Sequence, residues 1–326
     1  MAPPLDARIK SGHDKRNPNN QTKYWEETME RIGFIGLGAM GRPMARNLLR
    51  GTGAEMIVYD MNPDAVAALV AEGATAAGSI AEVAANADII VTMLPDSPDV
   101  EAVVLGPGGL AESASAEMLV MDMSTIDPSV TDLLSMALGE RGHGFVDAPV
   151  GRTVTFAEQG KSLFMVGASS NDFGRVKPLL EAMGNTIHHC GAPGAGIRTK
   201  LVNNYIAIVM NQVNAEAMAL IQHFGLALQP TLDVVNGTTA TNGHLVTNYP
   251  SKVLKGDLDP GFRVKLADKD LNLALDAART ADIPMFLGHA ARECYGLARA
   301  SGHAETDWTV LVDLACARAG LKPPRL

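Results

Sequence analysis

Two sets of residues in this chain have types and spacings that suit chemistry. The first is Gly36-Leu37-Gly38-Ala39-Met40-Gly41, a G-x-G-x-x-G run placed directly after the apolar stretch Arg31–Ile35 and opening a segment of helical spacing (Met40, Met44, Leu48). In a chain with 32 glycines the run has little weight alone; its setting supplies the weight. Asp60 closes the next apolar stretch, 24 residues beyond Gly36. Together these make the fingerprint of a dinucleotide site. The glycines allow a tight turn and close approach of backbone to a pyrophosphate, and the helix N-terminus adds N–H donors and a positive dipole end. Asp60 accepts from ribose hydroxyls and repels a 2′-phosphate, so NAD is expected over NADP, with Arg42 the nearby cation that argues the other way.

The second set is Lys200, Asn203 and Asn204. Lys200 and Asn204 stand at i and i+4, one turn apart on one helix face, with Asn203 beside them and Asn211 two turns below Asn204. The surrounding helix is rich in Val, Ile, Ala and Met. A solvated face would more often carry Glu/Lys pairs than asparagines, yet spacing alone leaves a functional stripe and an exposed one both open.

The elements that must hold these residues follow from the hydrophobic periods. Strands are expected at Arg31–Ile35, Ala54–Asp60, Asp88–Leu94, Met118–Met123 and Gly144–Ala148, alternating with helices, which implies a parallel, doubly wound α/β sheet of Rossmann type. Leu163–Gly167 and Thr186–His188 are expected to extend it. Beyond Gly191 the texture changes. One long helical pattern runs from Ile197 to about Phe224, followed by Gln229–Val235, Lys265–Ala281, Gly288–Ala300 and Trp308–Gly320, all helical. The expected division is a dinucleotide-binding domain over 31–193 and an all-α domain over 194–326. Residues 1–30 are polar, with mixed charge and no hydrophobic period, and are expected to be a disordered extension, with Met29 an alternative start.

Composition narrows the partners. The 326 residues carry a formal net charge of -9, which argues against nucleic acid or an anionic membrane surface. No apolar run approaches the ~18 residues of a membrane span. The three cysteines, Cys190, Cys294 and Cys316, form neither a metal spacing nor a disulfide framework, which suits a cytoplasmic protein. In His188-His189-Cys190, adjacent extended residues point to opposite faces, so no metal is expected there.

Six motifs then occur in order: GFIGLGAMGRPMARNL, MLPDSPDV, MDMSTIDP, DAPVGRT, GAGIRTKLVNNY and KDLNLALDAA. With them the chain resembles the β-hydroxyacid dehydrogenase family from Arg31 to about Leu321. The resemblance implies a Rossmann domain plus an α-domain, reversible NAD(P)-linked oxidation of a small 3-hydroxy acid, and a homodimer or homotetramer. It also implies roles. Lys200 matches the catalytic lysine and Asn204, with Asn203 beside it, the substrate-holding asparagine. Ser124 matches a contact to both substrate and nicotinamide, Met93-Leu94-Pro95 a cofactor loop, and Lys269 a lysine that closes over the cofactor. The chemistry fits: hydride reaching a carbonyl carbon leaves charge on oxygen, which needs an aimed acid, and a lysine can supply that proton or act as base in reverse.

The chain departs from the family at the substrate loop. Where a Val-Ser-Gly-Gly sequence is usual it has Val150-Gly151-Arg152-Thr153. Arg152 and Thr153 would put a guanidinium fork and a hydroxyl beside the acid group of the substrate, and a three-oxygen anion such as a sulfonate uses more donors than a carboxylate. The expected substrate is therefore a short anionic aldehyde or 3-hydroxy acid, a sulfonate first and a carboxylated semialdehyde second. A structural salt bridge for Arg152 and a non-catalytic NAD(H)-binding role for the chain are the rival readings.

Overall fold

The structure, a computed structural model, describes residues 30–114 and 117–326; the expected extension, apart from Glu30, lies outside them. The first half forms a nine-stranded sheet. Its strands are β1 (Ile32–Ile35), β2 (Met56–Tyr59), β3 (Thr75–Ala76), β4 (Ile89–Thr92), β5 (Leu119–Asp122), β6 (Gly144–Asp147), β7 (Val150–Gly151), β8 (Ser162–Gly167) and β9 (Gly184–Gly191). Their order is β3-β2-β1-β4-β5-β6-β8-β7, with β9 on β8. The order reverses between β1 and β4, and the crevice beyond the carboxyl ends of strands at such a switch point is where ligands of open α/β sheets bind. All four residues of β1, β4 and β5 are buried, as expected of strands covered on both faces.

Helices α1 (Gly41–Thr52), α2 (Pro63–Val70), α3 (Ile80–Asn86), α4 (Ser97–Leu105), α5 (Leu110–Ser113), α6 (Pro128–Gly139), α7 (Val154–Glu158) and α8 (Ser170–Met183) connect the strands. Their starts are written locally: Asn62, Ser79, Asp96, Asp127 and Ser169 each accept a first-turn N–H. One cluster around Phe34, Met44, Leu48 and Phe164 fills one face of the sheet, and another around Ile90, Val104, Leu134 and Leu138 fills the other.

The sheet is not wholly parallel. β8 runs antiparallel to β6 and β7, while β9 returns parallel to β8. The cause is the short connection from Gly151 to Ser162 through α7, since a parallel return needs a crossover of about a dozen residues or more.

The second half is helical: α9 (Ala195–His223), α10 (Leu228–Asn236), α11 (Val264–Thr280), α12 (Phe286–Ala298) and α13 (Leu311–Arg318). The pattern expected as one helix over 308–320 opens instead with a 3-10 turn, Trp308–Val310, capped by Asp307. α9 has 29 residues and spans about 43 Å. Asn211 lies in the core of this half: its amide donates to Tyr295 Oη at 3.0 Å and Trp308 O at 2.9 Å, and Tyr249 Oη donates back to its carbonyl and side-chain oxygens. That asparagine closes a buried hydroxyl network and does not reach the crevice. No helix among the described residues is long and apolar enough to cross a membrane.

Candidate active site

The glycine turn sits at the carboxyl end of β1. Gly36 has φ +96, in the left-handed region, and a Cβ there would overlap the Met93 carbonyl oxygen; a Cβ on Gly41 would overlap the carbonyl of Gly36. Glycine is required at both places. A Cβ on Gly38 would meet nothing within 4 Å, so the turn encloses open space at the start of α1. Asp60 Oδ2 accepts the Leu37 N–H at 2.5 Å and Oδ1 the Asn62 N–H at 2.7 Å, which fixes the carboxylate beside the turn. Ala39 and Met40 complete the turn, and Met93, Leu94 and Pro95 follow β4 across the same crevice. A cradle open at Gly38, donors at a helix start and a pre-set acid fit a bound dinucleotide.

Lys200 is buried and donates from Nζ to Val150 O at 2.6 Å, its one hydrogen-bond partner among the described residues. An ammonium carries three donors, so most of its capacity is unspent. Burial lowers its pKa; the nearby Asp270 carboxylate opposes that shift and Lys269 adds to it. α9 reaches this place because its first turn is docked on the sheet: Asp147, the last residue of β6, accepts from Gly194 N and Ile197 N, both at 2.6 Å. Burial pushes Asp147 up to about 6, and the two backbone donors resist the shift.

The asparagines lead across to α11. Asn203 Nδ2 donates to Asn204 Oδ1 at 3.0 Å, and Asn204 Nδ2 donates to Asp270 Oδ2 at 2.6 Å. Asp270 Oδ1 lies 3.3 Å from Lys269 Nζ, which donates to Thr125 O at 2.7 Å and Pro95 O at 3.3 Å. Asp270 is 3% exposed, and no spacing in the sequence marks it. Ser124, just past β5, is buried and hydrogen-bonded to Asp122 and to Leu94 N.

The substrate loop departs from expectation at Arg152. Its backbone is left-handed, with φ 72. Its guanidinium does not project freely into the crevice: Nη1 donates to Lys161 O and to Asn185 Oδ1, and Nη2 to Thr186 Oγ1 at 3.0 Å. The reason lies in the antiparallel β7–β8 pairing, which pairs Gly151 with Leu163 and so sets Arg152 beside the β8–β9 edge. Gly151 stays in the ladder, and Thr153 comes against Gly261 of the helical half. His189 stacks on Phe173 at 4.3 Å and bonds to Ala168 O. Among the described residues no three His, Cys, Asp or Glu side chains come together to hold a metal ion.

Fold and site together define an oxidoreductase with a Rossmann half that binds NAD, and comparison with known proteins places the chain in a family. Residues 31–191 match the model for the NAD-binding domain of 6-phosphogluconate dehydrogenase, and 194–315 that for the NAD-binding of NADP-dependent 3-hydroxyisobutyrate dehydrogenase. The chain belongs to the β-hydroxyacid dehydrogenase family. It is 44% identical to the 3-sulfolactaldehyde reductase of Escherichia coli (strain K12), over 90% of this chain and 98% of that one. It is 37% identical to the NAD-dependent L-serine dehydrogenase of Pseudomonas aeruginosa, over 88% and 98%. Among solved structures it resembles the 3-hydroxyisobutyrate dehydrogenase of Mycobacterium tuberculosis with L-serine, with a TM-score of 0.81, 33% identity and coverage of 88% and 99%.

Proposed function

We propose that this enzyme reduces 3-sulfolactaldehyde to 2,3-dihydroxypropane-1-sulfonate with NADH. The carrying observation is the strain at Arg152. A non-glycine residue with φ 72 costs on the order of 1 kcal/mol or more, and glycine would relieve it. An arginine held there, two residues from the carbonyl that anchors Lys200, is explained by recognition of an anion with more oxygens than a carboxylate. The 44% identity to a protein named 3-sulfolactaldehyde reductase supports the same reading.

The bound dinucleotide would supply hydride to the aldehyde carbon. Lys200 then donates a proton from Nζ to the oxygen that gains charge, with Val150 O holding the amine in place. Asn204, fixed by Asp270, orients the substrate without adding charge. The backbone amides of Arg152 and Thr153, just past the ladder that holds Gly151, would face the acid group, and Arg152 would leave the β8–β9 edge to pair with it. We place the enzyme in the cytoplasm, consistent with its three free cysteines. We also propose a homo-oligomer: Val202, Ile206, Val213 and Leu220 leave an apolar stripe of α9 exposed, and a second copy would cover it.

The engagement of the Arg152 guanidinium with Lys161, Asn185 and Thr186 favours a second reading, in which it braces the loop and the amides alone hold a carboxylated semialdehyde. The test is kcat/KM of wild type and Arg152→Gly on both substrate types with NADH. Selective loss on the sulfonate, roughly 100-fold for a lost charged pair, supports the first reading; equal losses on both sink it.

A further inference from the structure

Asp122 ends β5, is 2% exposed, and three donors converge on one of its oxygens. Thr92 Oγ1 at 2.8 Å, Ser124 N at 3.2 Å and Ser124 Oγ at 2.6 Å all meet Oδ1. Ser124 Oγ itself accepts from Leu94 N at 2.9 Å. A hydroxyl has one proton and two lone pairs. The Ser124 proton must lie toward Asp122. Leu94 N–H can only donate, and Oδ1, which already receives Thr92 Oγ1–H and Ser124 N–H, is the unprotonated, accepting oxygen of the carboxyl. Leu94 takes one lone pair. Toward anything bound in the crevice, Ser124 therefore has one lone pair left and no proton.

We propose that Asp122 is a positioning residue that makes Ser124 a pure acceptor, so that the group meeting Ser124 is an N–H donor, the carboxamide NH2 of nicotinamide. The proposal rests on the reading of Ser124 as a cofactor contact. It also assigns the substrate's anionic end elsewhere, to the amides of Arg152 and Thr153, because an anion has nothing to accept from Ser124 and would face the Asp122 carboxyl behind it.

The test is dinucleotide binding by fluorescence titration of the full chain, with NADH and with the reduced 3-acetylpyridine analogue, in which a methyl replaces the amide NH2. Wild type binds the analogue about tenfold more weakly, since a buried acceptor left without its donor costs about 1.4 kcal/mol. Asp122→Asn, whose side-chain oxygen still takes the Ser124 proton, keeps that preference within about twofold. Asp122→Ala frees the hydroxyl to donate to the ketone and brings the two ligands within about threefold, as does Ser124→Ala. A wild type that binds both equally, or an Asp122→Ala protein that weakens both by one factor, overturns the proposal. If Asp122→Ala does not fold, preference lost in Ser124→Ala and kept in Asp122→Asn supports it, and any other pairing overturns it. The underlying contact fails separately, if Ser124→Ala leaves NADH affinity unchanged.

Discussion

Asn204 donates its side-chain amide to Asp270 Oδ2 across 2.6 Å, and this bond joins the helix of Lys200, the proposed proton donor, to the helix of Lys269. Asp270 holds Lys269 on its other oxygen, and Lys269 bonds to carbonyls of the loops after both β4 and β5. Asn204, the proposed substrate-orienting amide, and the loops after β4 and β5 thus share one buried carboxylate, whose loss leaves an amide and an ammonium without their acceptor.

Asp270→Ala is expected to lower kcat/KM by about 10- to 100-fold, matching 1.4–3 kcal/mol for unsatisfied buried partners. Asp270→Asn retains an acceptor for Asn204 and recovers part of the loss. Steady-state kinetics at saturating NADH measures both, and an unchanged kcat/KM in the alanine variant would falsify the linkage.

Replacing Lys200 by Ala should abolish turnover while NADH affinity stays within about twofold, a loss of at least 10³ in kcat for a missing general acid. In wild type the reductive pH profile is set by the protonated amine, so activity falls as pH rises through its pKa. Burial lowers that pKa, which places the falling limb below the ordinary lysine value of about 10.4. A limb at or above that value contradicts the assignment.

Asp147 makes a prediction about stability. Its folded pKa of about 6 exceeds the ordinary 3.8, so between these values the native state binds more protons than the unfolded chain, and stability from this group falls as pH rises. Asp147→Asn does not titrate. Denaturation at pH 4 and pH 7 should show the balance moving in favour of the variant by up to about 3 kcal/mol; movement toward wild type refutes it.

Asp60 is expected to set the choice of dinucleotide. Its fixed carboxylate should give a preference for NADH over NADPH of about 100-fold, and Asp60→Ser should narrow it to within about tenfold. The ratio of kcat/KM values for the two cofactors decides, and a preference unaltered by the substitution removes Asp60 from the role.

The Rossmann half was legible because its signals are local. Strand-turn-helix around Gly36 and the acid at Asp60 follow from residues within one βαβ unit. The direction of β8 was not legible, because a period of two is the same read either way; only the short return through α7 reveals it. Asp270 and Asp122 escaped for a related reason. Each acts on a residue far away in the chain or on a proton direction, and neither leaves a spacing. Asn211 shows the opposite error. It shares the helical phase of the polar stripe, yet its partners are Tyr249 and Tyr295, which no periodicity of α9 could name.

The docking of Gly194 and Ile197 on Asp147 has a wider meaning. Lys200 lies three residues past Ile197 and is anchored on Val150, so its place is measured from the sheet, although its helix belongs to the other half. The proposed proton donor and the glycine turn at the end of β1 are thereby registered to one sheet. A chimera that exchanges everything after about residue 225 for a relative's bundle would keep that registration, provided the incoming bundle brings an acid and a lysine in the places of Asp270 and Lys269.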